Sequence, residues 1–255
     1  MVPYVDLPVL HLLGQPIYPY TYLVALGMVL CYVLGQRRVK AVGLYAPVSA
    51  VGLVWIAVGG FIGAHIVDVV AYYPERVLQN PLSLLAIWEG TSSFGGFIGG
   101  TVAFHIYCRM QQVWMLAHID ALVYGFAPGW IIARGGCFAA HDHPGWRSDF
   151  FLAVAYPGGA RHDLGLYEVL LAAAITAVLY LWAARQKRFV GFHTALVLAL
   201  YAPGRFMLDF LRTGDRRYLG LTPAQYLCGV MLALVVYLVW NGRRRRRMAD
   251  PDAPS

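Results

Sequence analysis

Residues 127–149 read APGWIIARGGCFAAHDHPGWRSD. The stretch opens as the end of an apolar run and closes in polar residues. Between the two lie an arginine, a glycine pair, a cysteine and a His-Asp-His triplet. Ionisable groups placed where a hydrophobic segment leaves a membrane are costly, so they face a cavity, a partner or a substrate. The Gly135-Gly136 pair is expected to let the backbone leave its helix just after Arg134 and pass close to another group. This is the expected active region.

The surrounding chain is 59% hydrophobic and only 13% charged, about half the charge of a soluble domain. Such a chain needs a membrane, where only helices and closed barrels satisfy the backbone. Its apolar runs last about 20 residues without alternating, which selects helices. The formal charge of +7 reflects topology, not a nucleic-acid footprint. Arg243, Arg244, Arg245, Arg246 and Arg247 form a juxtamembrane cluster suited to anionic membrane lipids. The four cysteines are widely spread and show neither a disulfide framework nor metal-ligand spacing. No basic region precedes the first apolar run, so a cleavable signal peptide is not expected.

The fold expected is all-α, a polytopic bundle of about seven transmembrane helices. The spans fall near residues 17–35, 47–72, 91–109, 113–133, 164–184, 192–211 and 223–240. Residues 80–88 are too short and interrupted to cross and read as an interfacial or re-entrant piece. The ends of spans one, three, five and seven carry Arg37, Arg38, Lys40, Arg109, Arg185, Lys187, Arg188 and the five terminal arginines. These are 12 of the 20 basic residues. The positive-inside rule then puts the C-terminus in the cytoplasm and the N-terminus, with residues 134–149, outside. Residues 1–242 form one transmembrane domain and 243–255 a basic cytoplasmic tail.

Local patterns recur in a telling order: Tyr20 with Arg37-Arg38, then Trp88-Glu89-Gly90, Ser92 and Gly95-Gly96-Phe97-Ile98-Gly99. Asp120 and Arg134 follow, then Arg161-His162 and Leu166-Tyr167-Glu168. Tyr201, Arg205-Phe206, Asp209-Phe210, Arg212, Leu221-Thr222 and Gln225 complete the series. In this order the sequence resembles the bacterial prolipoprotein diacylglyceryl transferases over nearly its whole length. The resemblance implies a multi-pass enzyme of the bacterial plasma (inner) membrane that needs no cofactor. It would move diacylglyceryl from phosphatidylglycerol to a lipobox cysteine thiol of a preprolipoprotein, releasing glycerol phosphate.

That chemistry sets requirements of its own. A departing phosphate needs cationic donors, for which the arginine fork is suited. The attacking thiol needs a base or a depressed pKa. Arg134 and Arg205 match the family's two essential arginines and are assigned to phosphatidylglycerol, with Tyr20 and Tyr201 beside them. The alternative for the arginines is interfacial snorkelling or pairing with Asp142 and Asp209. Asp209 and Arg212 lie four and seven residues beyond Arg205, near one helical face. With Glu168 they read as an orienting network.

The sequence departs from the family where a base is wanted. Phe94 stands where the family's glycine run carries a histidine. Cys137 and Ala140 replace asparagines, and Asp142 replaces a glutamate. His141 and His143 are new basic groups in the same stretch and, with Asp142, are the candidate catalytic residues. A catalytically altered or silent lipid-binding homologue is the alternative function. The triplet alternates direction in an extended chain and no second cluster has ligand spacing, so no metal is expected. His65 with Asp68, and His118 with Asp120, read as buried hydrogen-bonding or packing residues.

Overall fold

The computed structural model describes residues 1–86, 92–183 and 189–249. Trp88-Glu89-Gly90 and the basic residues Arg185, Lys187 and Arg188 lie outside the described residues, as does the side chain of Phe94. An N-terminal arm folds into a short hairpin, β1 (Leu10–Leu12) against β2 (Gln15–Ile17). Helices α1 (Pro19–Ala41) and α2 (Ala46–Val67) follow, the second extended by a π turn over Asp68–Tyr72. After the short α3 (Pro74–Gln79) come α4 (Ser93–Met110) and α5 (Met115–Ala140). A second hairpin, β3 (Pro144–Arg147) with β4 (Arg161–Asp163), leads into α6 (Leu164–Leu181), α7 (Phe192–Leu208) and α8 (Pro223–Ala249).

Among the described residues six helices are long and apolar enough to cross a membrane: Pro19–Ala41, Ala46–Tyr72, Met115–Ala140, Leu164–Leu181, Phe192–Leu211 and Pro223–Arg245. The protein is therefore a polytopic helical membrane protein. The 18 residues of α4 fall outside that set, because four glycines dilute their hydropathy. Those glycines have a packing use. α4 lies along α2 so closely that a Cβ on Gly63 would sit 2.6 Å from the Gly95 carbonyl oxygen. Without a hydrophobic effect between helices in lipid, such close backbone approach and its dispersion contacts hold the pair together.

The central element is α5, which packs against α1, α4, α6 and α7. Its length corrects the sequence reading. The helix does not end after Arg134 but continues to Ala140, and the chain turns at His141, which adopts left-handed φ 51° and ψ 33°. Gly135-Gly136 is not a breaker, and Gly136 is a place of close approach: a Cβ there would meet the Tyr20 carbonyl oxygen of α1 at 3.2 Å. Residues 80–85 also resolve into a definite form, a 3-10 turn over Pro81–Leu85. Leu78, Leu82 and Leu85 around it project outward, each more than two-thirds exposed.

Cross-ties sort the connections onto two ends of the bundle. At one end Val2 pairs with the α5–α6 connection through Val2 N–H to Ala153 C=O, 2.9 Å. There the α7–α8 connection meets the segment after α2, through Arg216 to Glu75 at 2.5 Å and Tyr218 Oη to the Ala71 carbonyl at 2.7 Å. At the other end Arg245 of α8 lies over Trp114, 5.4 Å from the ring centre.

Candidate active site

Three helices bring their charged residues to the end that holds the N-terminal arm. Arg134 lies near the C-terminus of α5, Glu168 in the second turn of α6 and Arg205 in the last turn of α7. Asp163 fixes where α6 begins, its Oδ1 accepting the Leu166 N–H at 2.9 Å as an N-cap. Glu168 then bridges the arginines. Its Oε2 is 2.7 Å from Arg134 Nε, and its Oε1 is 3.7 Å from Arg205 Nε. Arg205 Nη1 also lies 2.7 Å from Asp209 Oδ1. All four side chains are buried, so the ion pairs persist in a low dielectric and each charge depends on its partner.

The outer shell of this chain is continuous. Asp209 accepts a hydrogen bond from the Thr222 hydroxyl. Thr222 and Gln225 close on each other, Thr222 N–H to Gln225 Oε1 at 2.9 Å and Gln225 N–H to Thr222 Oγ1 at 3.2 Å. Gln225 also donates to the Phe206 carbonyl at 3.1 Å, tying α8 to α7. The Arg134 guanidinium rests 4.5 Å from the centre of the Trp130 ring. The Tyr201 hydroxyl lies within electrostatic reach of Arg134, Glu168 and Arg205, and that of Tyr20 within reach of Arg134, Cys137 and Asp142.

One expectation about this network fails. Arg212 does not share a helical face with Arg205, because α7 ends at Leu208 and a 3-10 turn carries the chain over Asp209–Leu211. Arg212 is extended, bridges to Gly145 of β3 and pairs with Asp215 at 3.2 Å.

The structure separates the two candidate histidines. The side chain of His141 is 5% exposed. Its Nε2 faces the Val5 carbonyl at 3.1 Å and its Nδ1 faces Asp163 Oδ2 at 3.4 Å. The ring stacks on Tyr4 at 3.8 Å between centres. A ring with an acceptor at each nitrogen is a donor; it fastens the N-terminal arm to the loop. His143 differs. Its Nδ1 lies 2.9 Å from the Asp142 carbonyl, which can only accept, so Nδ1 carries the proton and Nε2 the lone pair. The Asp142 carboxylate is 3.6 Å from the same nitrogen. Burial, with Arg212 and Arg134 nearby, holds the His143 pKa below the usual imidazole value, against the pull of Asp142 and Glu168. The ring is neutral at pH 7. Burial first of all pushes the Asp142 carboxyl upward, opposed by His143 and Arg134.

Cys137 joins this group. Its sulfur accepts from Arg134 Nη1 at 3.6 Å, and its Sγ, an Asp142 oxygen and a His143 nitrogen lie within 4.8 Å of one another. Three such donors suit a borderline divalent cation, but the guanidinium already on the sulfur disfavours a second positive charge.

The arrangement pairs two buried guanidiniums with a neutral imidazole at one end of a helical bundle. A scan against protein families matches residues 8–241 to the prolipoprotein diacylglyceryl transferase domain. The chain belongs to this family. Among similar members, the phosphatidylglycerol–prolipoprotein diacylglyceryl transferase of Chromohalobacter salexigens is 31% identical over 96% of each chain. That of Allorhizobium ampelinum is 34% identical over 78% of this chain and 74% of its own. That of Roseobacter denitrificans is 29% identical over 89% and 90%. Polar residues scattered in the sequence come together at separate places in this fold. Arg134, Glu168, Tyr201, Arg205, Asp209, Thr222 and Gln225 form the charged network. Asp120 instead caps α7, accepting the Thr194 N–H at 2.8 Å and hydroxyl at 3.0 Å, and meets His193 Nδ1 at 3.0 Å. His118 meets Ser49 Oγ at 2.7 Å.

Sequence reasoning missed Asp163 and Tyr156. Asp163 is almost fully buried; besides capping α6 it accepts from the Tyr156 hydroxyl at 2.6 Å. Burial first, and then that contact, hold the tyrosine's pKa far above its usual value. An aspartate immediately before an apolar run was the available cap signal.

Proposed function

We propose that this protein transfers the diacylglyceryl group of phosphatidylglycerol to the thiol of a lipobox cysteine in a preprolipoprotein. The reading rests on Glu168 holding Arg134 and Arg205 together within reach of His143. The lipid phosphate is received by Arg134 and Arg205, with Tyr20 and Tyr201 beside it. The acceptor thiol gives its proton to His143 Nε2. Its sulfur attacks the glyceryl carbon, the carbon–oxygen bond to phosphate breaks, and glycerol phosphate leaves with the bonding pair. Arginine donors stabilise the charge that grows on the leaving oxygen, more strongly in a buried site than in water. Asp142 orients His143, while Glu168 and Asp209 orient the cations. His141 acts from a distance by holding the loop.

The proposed topology has seven crossings, α4 being the third, in the bacterial inner membrane. Residues 1–242 form the membrane domain and 243–255 the basic tail. The end with Arg37, Arg38, Lys40, Arg109 and Arg243–Arg247 faces the cytoplasm, and the N-terminal arm and charged network face outward.

The test uses the purified protein in phosphatidylglycerol vesicles with a lipobox peptide and labelled donor lipid. Label should appear on the peptide cysteine as a thioether, and a strain depleted of its own transferase should grow when supplied with this chain. Phosphatidylglycerol binding without transfer in either assay would favour the lipid-binding alternative, to which Phe94 in the glycine run points.

A further inference from the structure

A cavity of about 380 Å³ opens at the opposite end of the bundle from the charged network. Its floor is Leu116 at the start of α5, and Val190 and Phe189 before α7 form one wall. The other wall is one face of α8, on which Tyr237, Leu238, Asn241, Gly242 and Arg245 follow at helical spacing. Gly242 makes that wall possible. A Cβ there would sit 2.1 Å from a Phe189 ring carbon, so the ring lies on bare helix backbone.

Polarity along this face changes in one direction. Tyr237 and Leu238 are apolar or amphipathic, Asn241 offers an amide and Arg245 a guanidinium lying over Trp114. From Tyr237 to Arg245 the helix rises about 12 Å, the depth over which a phospholipid passes from acyl chain to phosphate. Trp114, Tyr237 and Val190 remain substantially exposed around the opening. Tryptophan and tyrosine favour this interfacial depth. Among the described residues lining the cavity none is acidic, and Arg243 and Arg244 beside it are exposed.

We propose that this cavity binds one anionic phospholipid, its phosphate on Arg245 and Asn241 and an acyl chain along Leu238, Leu116 and Val190. Charge complementarity selects an anionic lipid over a zwitterionic one, and the apolar floor selects a lipid over free phosphate. The site is separate from the transfer site: Trp114 and Arg134 lie at opposite ends of α5, about 30 Å apart along its axis. It does not depend on the proposed transfer activity.

The experiment reconstitutes the full chain in phosphatidylcholine nanodiscs carrying a trace of diazirine-bearing phosphatidylserine or, separately, diazirine-bearing phosphatidylcholine. After irradiation, adducts are mapped by mass spectrometry. The anionic probe should label residues 114–116 and 237–242 several-fold more than the zwitterionic probe. Arg245→Gln, at an exposed position, should reduce that labelling about five-fold, and Trp114→Ala should also lower it. Equal labelling by the two probes overturns the proposal, as does labelling that Arg245→Gln leaves unchanged or adducts found only elsewhere.

Discussion

Arg134 and Glu168 meet at 2.7 Å, Nε to Oε2, with both side chains buried. The contact joins α5 to α6 just inside the end of the bundle, and the second carboxylate oxygen turns toward Arg205. Removing one partner of a buried ion pair leaves the other charge uncompensated, which costs about 3–5 kcal/mol. Glu168→Gln should therefore lower the thermal midpoint in detergent markedly, whereas Glu75→Gln, whose pair with Arg216 is exposed, should leave it nearly unchanged. Similar midpoints for the two variants would contradict this account of the network.

Arg134→Ala and Arg205→Ala should each weaken phosphatidylglycerol binding. The double variant should lose less than the sum of the two, because both act on one phosphate and share Glu168. Lysine at either position should rescue partly, keeping the charge without the fork. Fully additive losses, measured by equilibrium lipid binding, would assign the arginines to separate roles.

The two histidines should give different kinds of variant. His143→Ala should cut transfer by about 10²–10⁴-fold, the usual contribution of a positioned base, with little change in stability. His141→Ala should lower stability through loss of the Tyr4 stack and two polar contacts. Transfer per folded molecule should hold. The reverse pattern, in parallel activity and thermal-shift assays, would exchange their roles.

With His143 as the proposed base, transfer should fall as pH drops through the pKa of that group. Burial and nearby arginines depress the pKa, placing the acid limb below the ordinary histidine value of about 6.5. Arg212→Gln removes a cation that favours the neutral ring, so the limb should move to higher pH. Asp142→Asn removes an anion that favours the charged ring, so the limb should move lower. A pH–rate profile for each variant checks both signs.

A reporter fused after Arg247 should report cytoplasm, and one inserted at Gly158, where nothing lies within 4 Å of a built Cβ, should report the outer side. Both on the same side would remove the seven-crossing topology.

Much of this molecule was legible because membranes impose long apolar runs, and α1, α2, α5, α6, α7 and α8 fall close to the spans read from hydropathy. Ends were less legible, since helix termini depend on neighbours. Gly135-Gly136 resembles a breaker in one dimension, and only the nearness of Tyr20 shows what a small residue at Gly136 permits. Arg212 failed for a related reason, as periodicity cannot reveal that α7 tightens and stops at Leu208. Cys137 read as a lost asparagine, and its contact with Arg134 appears only once α5 continues past the glycines. Tyr4 and Val5 reach His141 across more than 130 residues of chain, a pairing with no local signal.

Arg134, Arg205, Glu168 and Asp209 together carry two positive and two negative charges, so the resting centre is electrically balanced. An anion entering such a place competes with carboxylates that already draw on both guanidiniums. Recognition then works as ion exchange, in which the gain from the incoming phosphate is offset by the internal partner it displaces. On the proposed mechanism the same carboxylates would reclaim the arginines when the chemistry is done, and Glu168 would be the competitor that lets the phosphate product leave.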